Sequence, residues 1–205
     1  MPSRVIGGVA HSRREIVEVC RRLYEKGLIA GQDGNVSVRI KENRILVTPA
    51  GISKVDVRTS DLIELELHSE HGASSKGKGH ESSEVEVHFA AYTMRPDIRA
   101  VVHAHPPVAV GFSVAGETIE HPLLAELKYG VGTVPLVPYE QPGSRALADL
   151  AAKSLRSYDV ILLQYHGAVA VAGSLLVAHQ RMESLEHAAR ILLVARQLKV
   201  FRRAD

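Results

Sequence analysis

The sequence predicts an α/β fold, a three-layer α/β/α sandwich whose central sheet is mostly antiparallel. Alternating apolar and polar residues over 35–40 and 44–48 predict a β-hairpin. Later apolar runs of strand length alternate with segments of helical periodicity, a pattern typical of helices that cover a sheet. The 205 residues show no internal repeat and no linker, which favours one domain over residues 1–205.

In the first part of the chain, a capping box from Ser12 to Glu15 predicts a helix that runs to about Lys26. The polar, glycine-containing segment His68–His80 predicts a surface loop. The strands predicted in this part are Asn35–Ile40, Arg44–Thr48 and Ile63–Leu67.

In the second part, another capping box from Ser83 to Glu86 predicts a helix that ends before Pro96. The apolar run Arg99–His105 predicts a strand, and the prolines after it open a short helix to about Val114. The remaining predicted elements are the strands Val131–Val137, Val160–Gln164 and Ala168–Ala172 and the helices Ser144–Leu155 and Ser174–Val200.

The composition excludes several classes of partner. Hydrophobic residues make up 45% of the chain, and the net charge is +2, so we expect neither a nucleic-acid partner nor a membrane surface. No apolar run approaches the roughly 18 residues that span a bilayer, and the first residues lack a signal-peptide pattern. The single cysteine, Cys20, lies in a helical apolar stripe, which favours a core position and a reducing, cytoplasmic location.

Three histidines and a glutamate are the candidate metal ligands. His103 and His105 are two residues apart at the end of a predicted strand, so they project from the same face. His166 ends another apolar strand, and Glu84 begins the helix before the histidine strand. Such a set suits zinc with one position open to substrate, although Mn²⁺, Co²⁺ or Fe²⁺ would also fit. Each residue alone also has a structural explanation, since a first-turn glutamate favours the helix dipole without any ligand.

Six residues at turns and at a helix start are candidates for binding an anion. Free backbone amides at a helix start, or in a glycine turn, bind phosphate readily. As single features, these residues are better explained by turn and cap formation than by anion binding. The six are Gly34, Asn35, Ala50, Gly51, Ser82 and Ser83.

Taken together, five motifs resemble the class II aldolase/adducin family over residues 12–195. The motifs, in chain order, are Gly34-Asn35-Val36-Ser37-Val38-Arg39, Thr48-Pro49-Ala50-Gly51, Ser82-Ser83-Glu84 with His88, His103-Ala104-His105, and Gln164-Tyr165-His166-Gly167. The resemblance implies the α/β/α sandwich and a homotetramer with active sites at subunit interfaces.

The resemblance also implies roles for the candidate residues. Zinc would be held by His103, His105 and His166, with Glu84 as a ligand at rest and as an acid/base during turnover. The family's phosphate pocket corresponds to Gly34, Asn35, Ala50, Gly51, Ser82 and Ser83. Ala50 stands where the family has threonine or serine, so this position retains only its backbone amide.

The reaction implied is the cleavage of a ketose 1-phosphate, such as fuculose 1-phosphate or 5-deoxyribulose 1-phosphate. The products are dihydroxyacetone phosphate and an aldehyde, with the metal ion stabilising the enediolate of the phosphate half. The family also contains epimerases and methylthioribulose-1-phosphate dehydratases, and Glu126 matches a glutamate that the dehydratases use. A non-catalytic interaction module is the alternative from another class, and the presence of all three histidines argues against it.

Overall fold

The apolar runs form one mixed sheet with helices on both faces. The structure is a computed structural model, and it describes residues 8–67, 74–75, 84–121 and 124–202. The helices are α1 (Val9–Glu25), α2 (Val85–Met94), α3 (Pro107–Val114), α4 (Arg145–Leu155) and α5 (Leu175–Arg202). The strands are β1 (Asn35–Lys41), β2 (Arg44–Val47), β3 (Ile63–Glu66), β4 (Ser74–Ser75), β5 (Ala100–Ala104), β6 (Leu136–Val137), β7 (Val160–Leu163) and β8 (Gly167–Ala172). A short 3-10 helix, Lys54–Asp56, and a π-helical segment, Glu126–Val131, lie between them.

The sheet has the strand order β4-β3-β2-β1-β5-β8-β7-β6. Every pair of neighbours is antiparallel except β6 and β7, which confirms the prediction of a mostly antiparallel sheet. Strand β5 lies between β1 and β8, so its carboxyl end is surrounded by neighbouring strands.

Alternation along the strands divides the core into two layers, as the predicted sandwich requires. Val36, Val38 and Val102 face one layer, which α1, α3 and α5 cover. Val101 and Val169 face the other layer, which α2 and α4 cover. Burial of both faces therefore fixes the register of the central strands, because a slip by one residue would exchange the two sets of side chains.

The predicted capping box at the start of α1 is wrong. The helix begins at Val9, with Gly8 as its N-cap, and Ser12 lies inside the helix with 1% of its surface exposed. Val9, Ala10 and His11 accept helical geometry, so the helix extends upstream of the serine. The amphipathic stripe is nevertheless as expected, and Cys20 is buried in it.

The predicted strand Val131–Val137 is mostly wrong. Val131 ends the π-helical segment, and Gly132 then turns the chain with a φ of 82°. The strand is reduced to Leu136–Val137, next to Pro135, which lacks an amide hydrogen for a sheet ladder. The apolar residues of this region are buried, but mainly outside a strand.

Two predictions fall partly or wholly outside the described residues. Within the predicted loop His68–His80, Ser74–Ser75 pairs with β3, and the remaining positions lie outside the described residues. The predicted cap residues Ser82 and Ser83 also lie outside them, while α2 itself begins at Val85. None of the helices in the described part of the chain is both long and apolar enough to cross a bilayer.

Candidate metal centre

The histidine pair lies at the end of β5, as predicted. Asn35 of β1 and Val169 of β8 are the register partners of His103, so strands flank it on both sides. Its Nδ1–H donates to the backbone oxygen of Ala168 at 3.0 Å, which leaves the Nε2 lone pair available to a ligand. The backbone N–H of His105 donates to Leu28 O at 2.9 Å and holds the chain just beyond the strand.

His166 reaches the same point from the turn between β7 and β8. Its backbone N–H donates to Leu163 O at 3.1 Å, and Tyr165 before it has a φ of 59°. A bulky residue in this left-handed region is uncommon and indicates a turn held by its surroundings. The His166 ring centroid lies 4.9 Å from that of His103 and 5.1 Å from that of His105.

Glu84 supplies the carboxylate of the cluster from the N-cap position of α2. Its Oε1 lies 2.6 Å from His166 Nε2, and its Oε2 lies 3.4 Å from His103 Nε2. Burial acts to raise the pKa of Glu84, but His103 and His166 outweigh it and hold this pKa well below its usual range. The side chain is therefore a carboxylate at neutral pH.

The four side chains fit a divalent transition metal. One ligand atom from each of Glu84, His103, His105 and His166 lies within 4.8 Å of the others. Burial lowers the pKa of His105 to about 3, so the imidazole is neutral, as ligation requires. Three imidazole nitrogens and one carboxylate oxygen are a typical donor set for zinc and its neighbours.

Four of the predicted anion-binding residues lie on two adjacent loops. Gly34 has a φ of +69°, and a Cβ there would lie 2.7 Å from His103 O, so only glycine fits. Asn35 follows it at the start of β1, and its Nδ2 donates to Glu84 Oε2 at 3.1 Å. Ala50 and Gly51 form the second loop, and Gly51 also has a positive φ, of 74°.

Sequence reasoning missed Lys54, which joins these two loops. Only 2% of its surface is exposed, and its Nζ donates to Gln32 O at 2.7 Å and to Ile52 O at 3.3 Å. Its backbone N–H donates to Gly31 O at 3.1 Å. The available signal was the position of Lys54 next to Val55 and two residues after Ile52, since a lysine near apolar residues is buried only with specific partners.

Glu126, the residue considered for dehydratase chemistry, is not part of the four-residue cluster. It begins the π-helical segment, and its Oε1 lies 3.8 Å from Nε2 of His187 on α5. This position ties the segment to the last helix.

The chain is similar to proteins that carry different reaction names. The L-fuculose phosphate aldolase of Methanocaldococcus jannaschii is 33% identical over 182 residues, which are 89% of this chain and 96% of that protein. The 5-deoxy-D-ribulose 1-phosphate aldolase of Bacillus thuringiensis is 32% identical over 181 residues, 87% and 83% of the two proteins. The 3-oxo-tetronate 4-phosphate decarboxylase of Haemophilus influenzae is 30% identical over 192 residues, 90% and 88% of the two.

The fold is shared with a solved structure. The L-fuculose-1-phosphate aldolase from Thermus thermophilus superposes with a TM-score of 0.82 at 33% identity, over 93% of this chain and 96% of that one. The family described as Class II Aldolase and Adducin N-terminal domain matches residues 14–193, which include all four candidate ligands. This chain therefore belongs to the class II aldolase and adducin family.

Proposed function

We propose that this protein is a metal-dependent aldehyde-lyase that cleaves a ketose 1-phosphate into dihydroxyacetone phosphate and an aldehyde. The observation that carries the proposal is the convergence of Glu84, His103, His105 and His166 on one point. Asn35, which follows the turn at Gly34, is the register partner of His103 on the neighbouring strand. Relatives that are named as aldolases for fuculose phosphate and 5-deoxyribulose 1-phosphate support the same substrate class.

Zinc is the proposed cofactor, with Mn²⁺ and Co²⁺ as alternatives that the same ligands accept. When bound by the three histidines and Glu84, the ion would act as a Lewis acid on the carbonyl and hydroxyl oxygens of the substrate. The hydrogen bond from His103 to Ala168 O sets the tautomer that ligation requires. No buried lysine is needed as a Schiff base, and Lys54 is engaged by two carbonyl oxygens.

Glu84 is the proposed acid/base. Cleavage removes the proton of the C4 hydroxyl, breaks the C3–C4 bond and leaves the bonding electron pair on the dihydroxyacetone phosphate half. C3 must then receive a proton, and we assign that transfer to Glu84: the carboxylate, deprotonated at rest, takes up a proton equivalent to the one that the C4 hydroxyl releases, directly or through solvent, and passes it to C3. Because the side chain is a carboxylate at rest, it is in the form that can take a proton from C3 when the reaction runs toward condensation.

The phosphate group of the substrate is proposed to bind at the two loops of Gly34, Asn35, Ala50 and Gly51. Positive φ angles at both glycines allow backbone amides to turn toward an anion. Ser82 and Ser83, which lie outside the described residues, complete the proposed pocket from the chain just before α2. Lys54 holds the two loops together and adds a positive charge beside them.

A second candidate reaction is the decarboxylation of a 3-oxo acid phosphate. The named function of the Haemophilus influenzae relative favours it. Both reactions break a bond to the carbon next to a ketone and leave the electron pair on that carbon, so one metal centre serves either. Release of carbon dioxide rather than an aldehyde distinguishes them. Epimerase or dehydratase activity would be detected as isomerised or dehydrated sugar phosphate.

The proposed setting is a cytoplasmic homotetramer with active sites at subunit interfaces and a sugar phosphate as the small-molecule partner. The family resemblance supports the assembly, and the buried free thiol of Cys20 is compatible with a reducing compartment. Sedimentation velocity tests the assembly directly, because a monomer or dimer at micromolar concentration would contradict it.

The experiment that tests the function combines metal analysis with an aldehyde screen. We expect the purified protein to bind one divalent metal ion per chain and to condense dihydroxyacetone phosphate with an aldehyde. Lactaldehyde, glycolaldehyde, acetaldehyde and methylthioacetaldehyde cover the substrate ends under consideration. Absence of stoichiometric metal would remove the enzyme assignment, whereas bound metal without condensation would favour decarboxylase, epimerase or dehydratase chemistry.

A further inference from the structure

A chain of buried side-chain hydrogen bonds leads from Glu84 into the protein core. Asn35 Nδ2 donates to Glu84 Oε2 at 3.1 Å, and Asn35 Oδ1 contacts His88 Nε2. His88 Nδ1 lies 2.6 Å from Ser37 Oγ, which lies 2.9 Å from the hydroxyl of Tyr92. Three residues, Asn35, His88 and Ser37, thus connect the cluster carboxylate to Tyr92 on α2.

These four residues lie between β1 and α2. Asn35 and Ser37 are two positions apart on one face of β1, and His88 and Tyr92 are four apart on α2. None exposes more than 2% of its surface. Four adjacent polar side chains in an otherwise apolar layer are costly unless every group has a partner, so their orientations are tightly constrained.

The donor and acceptor properties of these groups determine the direction of donation in this series of hydrogen bonds. The Asn35 amide oxygen only accepts, so His88 Nε2 must carry the hydrogen. Burial lowers the pKa of His88 to about 3, so the ring is neutral and Nδ1 accepts from the hydroxyl of Ser37. The hydrogen of Ser37 is then used on His88, so the hydroxyl of Tyr92 donates to Ser37 Oγ at 2.9 Å, a shorter contact than its 3.4 Å distance to the backbone oxygen of Arg99.

The opposite orientation of the Asn35 amide is disfavoured by Glu84. It would place Oδ1 where Nδ2 lies, 3.1 Å from Glu84 Oε2, so that two acceptors faced each other. The hydrogen on His88 Nε2 therefore determines which end of the amide reaches the carboxylate. Oε2 is held by Asn35, and Oε1 faces His166.

We propose that His88, Ser37 and Tyr92 are positioning residues that act through Asn35 to fix the orientation of the Glu84 carboxylate. The role in turnover rests on the proposed function, in which Glu84 transfers a proton. The effect on the metal centre does not, because Glu84 belongs to the candidate ligand set whatever the substrate is.

Two replacements of His88 test the proposal as a matched pair. The amide nitrogen of glutamine occupies the place of Nε2, so His88→Gln retains a donor to Asn35. Asparagine places its amide near Nδ1, so His88→Asn leaves Asn35 without that donor. We expect His88→Gln to retain kcat within about 3-fold and His88→Asn to lower it by about 10-fold or more, the usual effect of losing an outer-shell partner. In an Asn35→Ala background, the difference in kcat between His88→Gln and His88→Asn should disappear.

A readout independent of turnover is the visible absorption spectrum of the Co²⁺-loaded protein. We expect His88→Asn to shift the spectrum in the direction that Glu84→Gln does, and His88→Gln to resemble the wild type. If the wild type binds Co²⁺ but does not turn over ketose phosphates, the proposed function fails while the spectra still test the positioning role.

Stability controls separate positioning from folding. Phe89→Leu alters a buried apolar residue of α2 outside the chain of hydrogen bonds, and we expect it to lower Tm without changing kcat or the spectrum. Equal kcat and equal spectra in His88→Gln and His88→Asn would overturn the proposal. If both fail to fold, Ser37→Ala decides, because unchanged kcat and an unchanged cobalt spectrum in that variant would overturn it equally.

Discussion

The approach of the three imidazoles depends on Gly167, a residue without a side chain. A Cβ at this position would lie 2.7 Å from His105 Cδ2, 2.9 Å from His103 Cε1 and 2.7 Å from the backbone oxygen of Ala104. The glycine follows His166 directly, so the turn that supplies the third ligand also leaves space for the other two. The approach of the candidate ligand rings therefore depends on the missing side chain at position 167 as well as on the rings themselves.

We expect Gly167→Ala to weaken metal binding by about 10-fold or more, since the methyl group must displace at least one ligand ring. Metal affinity is measured by competition with a chromophoric chelator. Gly173→Ala is the matched control, because it lies just beyond the same strand and a Cβ there has no neighbour within 4 Å. Equal affinity in the two variants would contradict this explanation of the glycine.

At the same scale, the sequence indicated which side chains converge better than it indicated the residues that hold them in place. His103 and His105 follow from the period of a strand, since positions i and i+2 share a face. The contact between Asn35 and Glu84 joins residues 49 positions apart, so no local pattern could indicate it. His88 was noticed only as part of a motif, and its role depends on packing between β1 and α2 that a sequence does not display.

Among the elements, α3 begins immediately after the histidine pair and is capped by a distant carboxylate. Glu186 on α5 accepts hydrogen bonds from the backbone N–H groups of Val108 at 3.1 Å and Ala109 at 3.0 Å. Only 3% of Glu186 is exposed, and Arg190 lies 2.9 Å from it. A negative charge at a helix N-terminus complements the helix dipole and two unpaired amides, so α5 fixes where α3 starts.

We expect Glu186→Ala to lower the free energy of unfolding by about 2–3 kcal/mol, because the helix amides lose a charged acceptor in a buried site. Urea denaturation measures the change. Glu183→Ala is the control one turn earlier on α5, where the carboxylate is partly exposed and pairs with Lys26 at 3.4 Å and His179 at 3.5 Å, for which we expect only about 0–1 kcal/mol. A smaller effect at Glu186 than at Glu183 would show that the cap is not important.

Element prediction succeeded where periodicity and caps agreed and failed where they conflicted. The helix predicted over Ser144–Leu155 is confirmed as α4, and Ser144 is its N-cap, with Oγ accepting from Leu147 N. The region Val131–Val137 carries a strand-like apolar pattern, yet Gly132 and Pro135 interrupt it, and the π-helical segment uses its first residue. Gly132 and Pro135 determined the secondary structure of this region, whereas the apolar pattern indicated only which residues are buried.

For the whole molecule, the sheet register explains how distant motifs meet at one site. The order β1-β5-β8-β7 places the end of β5 between the glycine turn before β1 and the turn after β7. Antiparallel pairing brings Asn35 opposite His103, and the N-terminus of α2 approaches the same edge with Glu84. The site therefore depends on pairing between strands that are distant in sequence, and no single segment predicts it.

Acid sensitivity is a property of the whole fold to which His88 contributes. In an unfolded chain its pKa is near 6.5, and burial lowers the folded-state pKa to about 3. Between these values the unfolded state binds a proton that the folded state does not, so the free energy of unfolding decreases as pH falls.

We therefore expect the unfolding free energy of the metal-free protein to fall with decreasing pH, and His88→Gln to reduce that slope. The reduction should approach about 1.4 kcal/mol per pH unit below about pH 6, the contribution of one proton. Urea titrations at several pH values measure both slopes. Identical slopes in the two proteins would show that His88 is protonated in the folded state or titrates normally.

The proposed reaction requires Glu84 to transfer a proton to and from the carbon next to the ketone, at a metal centre formed by His103, His105 and His166. Solvent exchange into dihydroxyacetone phosphate tests it without knowledge of the aldehyde. Proton NMR in deuterium oxide follows loss of the hydroxymethyl signal with metal-loaded protein. The account predicts incorporation of one deuteron by the wild type, and its loss in a Glu84→Gln variant that still binds metal. No exchange by the metal-loaded wild type, or equal exchange by the Glu84→Gln variant, would contradict it.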